Sequence, residues 1–298
     1  MTTRVTQGMM NNQLLRNVNA NLLRMNENQN QLSTGRKINK ASDDPVGISF
    51  SLRYRSEGSA NEQYKTNADT AVSWLDYTDT TLNQATTVMQ RVRELTIAAA
   101  NGTNSQAALD ATKKEIDQLK EQMITIGNSQ FNGKYVFNGQ LTDKQPYSLT
   151  FPEADIVDQG EIKFDIGVGV RVPANVTGDK IFGSPGDSDN IFRVLKDLSA
   201  ALGSGNQPAI GAIVGRLDSR NEAFLQARAD VGARQNRIEL AQARLEDISM
   251  NLQTLQAKAE DADIPGVITN LKTDENVYNA SLSVGAKIIS TSLVDFLR

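Results

Sequence analysis

Apolar residues recur at heptad spacing at both ends of the chain. Near the start, Leu15, Val18, Leu22, Met25 and Leu32 fall on one a/d frame. Near the end, Ile238, Ala241, Leu245, Ile248, Leu252, Leu255, Ala259 and Ala262 do the same. A period of about 3.5 residues lays a narrow stripe along a helix, and only another helix buries such a stripe. The first and last parts of the chain are therefore expected to pack against each other or against neighbouring subunits. This is the pattern of a protein that assembles.

The same reading places the other elements. Residues 10–34 form an amphipathic helix that stops at Ser33-Thr34-Gly35, where Gly suits the position after a helix end. Ser42, Asp43 and Asp44 are helix-cap candidates, and Pro45 follows at the place where a helix tolerates proline. A long helix is expected from Pro45 to Ala100, with Leu75, Leu82, Ala85, Met89, Val92 and Ala99 on one face. Asn101-Gly102 ends it. A further helix over 105–127 carries Leu109, Ile116, Leu119, Met123 and Ile126. Helices resume near 188–202 and run from Pro208 to Ala262. Ile264-Pro265 interrupts that run, and a last helix extends to Phe296. Its stripe is Ile268, Leu271, Tyr278, Leu282, Ile289 and Leu293.

Between 131 and 184 the period changes. Phe131 to Gly139 alternates apolar residues around two Asn-Gly turn signals, which reads as a hairpin. Strands are expected over 147–151, 161–166 and 169–173. The fold class is mainly α: an elongated rod of long helices with a terminal coiled coil and a small β-rich insertion. Three parts are expected: a terminal coiled-coil assembly domain (1–44 with 256–298), a helical rod (45–130 with 185–255) and the insertion (131–184).

Composition narrows the function. The chain has 298 residues, of which 5% are aromatic, fewer than a thick core uses. The net charge of -4 provides no basic field for nucleic acid or an anionic membrane. There is no Cys and no His, so thiol nucleophiles, disulfides and imidazole acid–base chemistry are absent. No apolar run approaches the ~18 residues of a membrane span. Met1 to Met10 has no apolar core of a cleavable signal peptide.

Candidate chemistry is thin. Asp43-Asp44 reads as a cap rather than a carboxylate pair. Glu260-Asp261-Ala262-Asp263 lacks the glycine and distal Glu of a calcium loop and reads as capping of the helix after Pro265. Gly167-Val168-Gly169-Val170-Arg171 lacks the third glycine of a dinucleotide fingerprint. Trp74 reads as a packing residue. No catalytic residue, cofactor or metal site is assigned.

Leu32-Ser33-Thr34-Gly35-Arg36-Lys37-Ile38-Asn39-Lys40-Ala41-Ser42-Asp43-Asp44-Pro45 resembles the N-terminal signature of the bacterial flagellin superfamily. Glu260-Asp261-Ala262-Asp263 and the closing Ser292-Leu293-Val294-Asp295-Phe296-Leu297 resemble its C-terminal region. Arg4-Val5-Thr6-Gln7, Met9-Met10, Phe131 to Gly139, Asp165 to Asp179 and Asn190-Ile191-Phe192 are similar to the superfamily's hook-associated, junction-forming branch. By contrast, Val46-Gly47-Ile48-Ser49 follows the filament-subunit pattern, so a flagellin stays as the alternative.

The resemblance implies a structural, non-enzymatic protein of the extracellular flagellum. It would leave the cell through the flagellar type III export channel, without a cleavable signal. The implied partners are copies of itself, a hook-side junction protein, flagellin and an export chaperone, with no nucleic acid and no membrane insertion. Leu15, Val18, Leu22, Met25, Leu32, Leu271, Tyr278, Leu282, Ile289 and Leu293 are expected to form the assembly interface. Two readings of other classes are a carboxylate-based polysaccharide hydrolase, which no motif supports, and a cytoplasmic coiled-coil signalling rod.

Overall fold

The computed structural model describes residues 7–102 and 104–296, with side chains for 8–102 and 104–287. The opening Arg4-Val5-Thr6 and the side chains of Ile289 and Leu293 lie outside the described residues. The elements in chain order are helices α1 (Gln7–Thr34), α2 (Pro45–Ala100) and α3 (Gln106–Gly127), then strands β1 (Gln130–Phe131), β2 (Lys134–Tyr135), β3 (Lys163–Gly167) and β4 (Val170–Pro173). Helices α4 (Gly178–Phe182), α5 (Ile191–Ser204), α6 (Gln207–Glu260) and α7 (Ile264–Phe296) complete the chain. The fold is mainly α, as the periodicity predicts. The described residues fall into two compact units, one within 1–60 and 248–298 and the other within 61–247.

In the second unit, α2 and α6 run antiparallel. Arg93 pairs with Asp218 at 2.6 Å, Arg228 with Asp79 at 3.0 Å, and Asn61 Nδ2 donates to the Leu245 carbonyl at 2.8 Å. The predicted face of α2 is inside: Leu75, Leu82, Ala85, Met89 and Val92 are buried. Helix α3 packs on α5. It starts at Ser105, whose side chain accepts from Ala108 N, while Asn190 caps α5 through Phe192 N and Arg193 N. Such caps satisfy amide donors that have no partner inside the helix.

Five of the sixteen aromatic residues gather in one cluster. Phe137, Tyr147, Phe182, Phe192 and Phe224 are all buried, and their rings meet at 4.7–5.6 Å between centroids. This ties the segment 131–184 into the same core as the helices. Trp74 is a packing residue, edge-on to Phe131.

The strand content is smaller than expected. β1 and β2 form a hairpin around Asn132-Gly133, both at positive φ, the conformation that this dipeptide favours. β3 and β4 pair antiparallel with a bulge at Asp165/Gly167. The expected strand over 147–151 is absent, because its backbone is held by side chains. Asn128 Nδ2 donates to the Tyr147 carbonyl at 2.9 Å, Tyr147 N donates to Asn128 Oδ1 at 3.0 Å, and Ser148 N donates to Asp155 Oδ2 at 2.5 Å. Gly167 to Arg171 is the turn and flank of the β3–β4 hairpin.

Candidate assembly surface

The first unit brings the two chain ends together. Helices α1 and α7 lie antiparallel: Asn28 faces Asp274, Leu14 faces Gly285, and Arg36 and Asp261 form an isolated bridge. Gly285 is buried, and a Cβ there would come within 2.8 Å of Leu14 Cδ2, so the Leu14 side chain would have to shift to admit one.

The seam between them consists of Asn11, Leu14, Val18, Asn21, Met25 and Asn28 from α1, with Val267, Leu271, Asp274, Tyr278, Ser281 and Gly285 from α7, all buried or half-buried. Their steps of three and four are those of a coiled coil. The frame, however, is offset from the one read in the sequence. Val18 and Met25 belong to both frames, and Leu14 and Leu15 are both leucine, so apolar spacing alone did not choose between them.

Polar partners choose. Asn28 Nδ2 donates to Asp274 Oδ2 at 2.9 Å, Arg24 Nε lies 3.4 Å from Asp274 Oδ1, and Arg24 also donates to Asn21. Asn21 is buried as a result, and Leu22 is turned outward. Leu15 is 59% exposed, Leu22 37%, Leu32 38% and Leu282 48%. Of the expected interface residues, Val18, Met25, Leu271 and Tyr278 stand in the seam, whereas Leu15, Leu22, Leu32 and Leu282 stand outside it. Ile264 and Ile268 are exposed on the same flank of α7 as Leu282, and Leu15 and Leu22 share one flank of α1.

The two ends meet at a joint built on Glu260. Its carboxylate is 3% exposed and accepts from Arg55 Nε at 2.8 Å, from a second Arg55 nitrogen and from the Ser51 hydroxyl, with Arg36 Nε at 3.6 Å. The Arg55 hydrogen bonds hold the Glu260 carboxyl below the usual range against the opposing effect of burial, with Ser51 and Arg36 adding to the same effect. Backbone bonds close the joint: Lys37 N donates to the Glu260 carbonyl at 2.6 Å and Ala262 N to the Gly35 carbonyl at 3.0 Å.

The three cap candidates have different jobs. Asp44 Oδ1 accepts from Val46 N at 3.1 Å and Gly47 N at 2.9 Å, so it caps α2. Asp43 turns back and accepts from Lys40 N at 2.8 Å and Asn39 N at 3.0 Å, and these amides lower its pKa. Ser42 supports Asp43. In the run 260–263, Asp263 starts α7 with its carbonyl, accepting from Val267 N at 2.8 Å. The role of Glu260 was not visible in the sequence, because its partners lie some two hundred positions upstream. The one local signal was Ser51 and Arg55, one turn apart on a single helix face. Among the described residues no cluster of three metal-ligating side chains occurs, and no helix is long and apolar enough to cross a membrane.

Comparison with known proteins bears on this geometry. The bacterial flagellin N-terminal helical region matches residues 5–142, and the bacterial flagellin C-terminal helical region matches residues 214–297. Flagellin FlaB1 of Treponema pallidum is 31% identical over 236 residues, covering 78% of each chain. Flagellar hook-associated protein 3 of Escherichia coli is 25% identical over 274 residues, covering 84% of this chain and 86% of its own. Among solved structures, flagellar hook associated protein-3 of Legionella pneumophila aligns with a TM-score of 0.64 at 16% identity, over 70% of this chain and 98% of its own. Bacillus cereus FlgL aligns at 0.60 and 21%, over 69% and 99%.

Proposed function

The chain belongs to the bacterial flagellin family, and from that membership we propose that it is a structural protein of the flagellum that forms the junction between hook and filament. The carrying observation is the flank of the α1–α7 pair. Leu15, Leu22 and Leu282 keep helical spacing but are left out of the seam, exposed to whatever lies beside the pair. At about 25 cal/mol per Å² of apolar surface, packing such flanks between subunits provides the driving force for assembly. The seam itself holds Asn11, Asn21, Asn28 and Asp274, and buried polar seam residues fix register at the expense of stability. The terminal pair is thus pre-registered but weak until neighbours cover it.

Two likenesses support the junction in particular: the match to hook-associated protein 3 along most of both chains, and the fold shared with solved hook-associated proteins. The partners in this reading are neighbouring copies, a hook-side junction protein, flagellin and an export chaperone, and the place is outside the cell. Its role is structural rather than catalytic.

The alternative is a filament subunit, favoured by the 31% identity to a flagellin and by Val46-Gly47-Ile48-Ser49. Electron microscopy separates the two. A junction protein does not grow long filaments alone and adds a short ring when mixed with hook-side protein and flagellin. Long filaments from the purified chain alone would establish the alternative.

A further inference from the structure

We infer that Glu260 is a latch that holds the end of α1 beside the start of α7 and orders the joint there. Three side chains from two separate stretches converge on its carboxylate: Arg36 just after α1, and Ser51 and Arg55 on α2. A buried carboxylate is costly unless paired and hydrogen-bonded, so Glu260 is stable in place only while these groups surround it.

The contacts form two layers. Ser51 and Arg55, one turn apart, make the inner layer and belong to the same helix. Arg36 is the outer layer, 3.6 Å from the carboxylate where Arg55 Nε stands at 2.8 Å. Arg36 reaches the carboxylate only when residues 35–37 run antiparallel to 260–262. The backbone records that same alignment through Lys37 N to the Glu260 carbonyl and Ala262 N to the Gly35 carbonyl. One residue therefore senses a single arrival twice, by its side chain and by its main chain.

The polar seam of α1 and α7 supplies little persistence of its own, and the latch supplies it at the end where the two helices meet the joint. This deepens the assembly reading and rests on it for its purpose, since a fixed joint presents the Leu22 and Leu282 flank in one orientation. The geometry itself is independent of that reading.

Hydrogen–deuterium exchange of the full chain, read by mass spectrometry, tests the latch. Glu260→Gln removes the charge at nearly constant shape. Exchange over 35–44 and 260–264 is expected to accelerate about 10-fold or more, with 61–247 unchanged. Arg36→Gln, which touches only the outer layer, should accelerate the same two stretches by less. Unchanged exchange there in Glu260→Gln overturns the latch, and so does acceleration spread evenly through 61–247, the mark of general destabilisation. Incorporation into flagella is scored in parallel. An opened joint with wild-type incorporation overturns the latch's part in assembly while leaving assembly through the exposed flank intact, which Leu22→Asp tests separately.

Discussion

Asn28 donates to the Asp274 carboxylate at 2.9 Å across the α1–α7 seam, where a coiled coil usually buries two apolar side chains. This polar pair fixes which faces of the two helices meet. It also keeps their union weak. Replacing both residues by Leu should stabilise the isolated pair by about 1–2 kcal/mol, because apolar burial replaces a partly exposed polar contact. Circular dichroism of the free chain should show firmer terminal helices. The same variant should tolerate shifted registers and incorporate less efficiently than wild type.

Leu22→Asp separates folding from assembly. Leu22 is exposed, so the free chain should keep its stability within about 0.5 kcal/mol. Incorporation into flagella should fail, because a charge would then be buried between subunits. Leu282→Asp should behave alike. Leu75→Asp, buried in the second unit, should instead unfold the chain. Thermal melts together with motility assays read both outcomes.

Acid should loosen the joint through Glu260. Its pKa is lowered in the folded chain, so its contribution is full above the ordinary glutamate value of about 4.3 and is lost as pH falls through the folded value. Exchange over 35–44 should therefore accelerate as pH drops below that range in the wild type. Once corrected for the intrinsic effect of pH, Glu260→Gln should lack this step and keep only the one owed to Asp43, whose pKa is also lowered.

Arg220 clamps the connection before α5. It is 5% exposed, pairs with Asp189 at 2.6 Å and donates to the Ile181 carbonyl at 3.2 Å and the Asp189 carbonyl at 3.1 Å. Arg220→Ala leaves those acceptors and a partly buried carboxylate without their donor, which should cost about 3 kcal/mol. Urea denaturation should show the loss. Arg53→Ala, an exposed i,i+4 partner of Glu57, should cost less than about 0.5 kcal/mol.

The long helices were legible because their boundaries carry strong local signals: Asp44 before Pro45, Asn101-Gly102 after Ala100, and Pro265 one residue into α7. The family signatures were legible for the same reason, as contiguous runs. The segment Tyr147 to Phe151 misled because alternation of Tyr147, Leu149 and Phe151 imitates a strand. In the fold only Tyr147 points inward; Leu149 and Phe151 are exposed, and Asn128 and Asp155 take the place of a neighbouring strand. Helix α4 has five residues, too few to show a period.

Leu15 and Leu22 carry helical spacing, but which side of Val18 meets α7 depends on Asn21, Asn28 and Asp274. Hydrophobic spacing gives polar residues no vote, although here they decide the frame. Glu260 was invisible for another reason: a local motif search has no means of bringing Arg36, Ser51 and Arg55 to one carboxylate from so far upstream.

Hydrogen exchange of α1 and α7, compared between the free chain and the assembled flagellum, tests the central claim most directly. Weak polar pairing in the free chain and burial of the Leu15, Leu22 and Leu282 flank on assembly predict fast exchange before and strong protection after. Equal, strong protection of both helices in the free chain would contradict it.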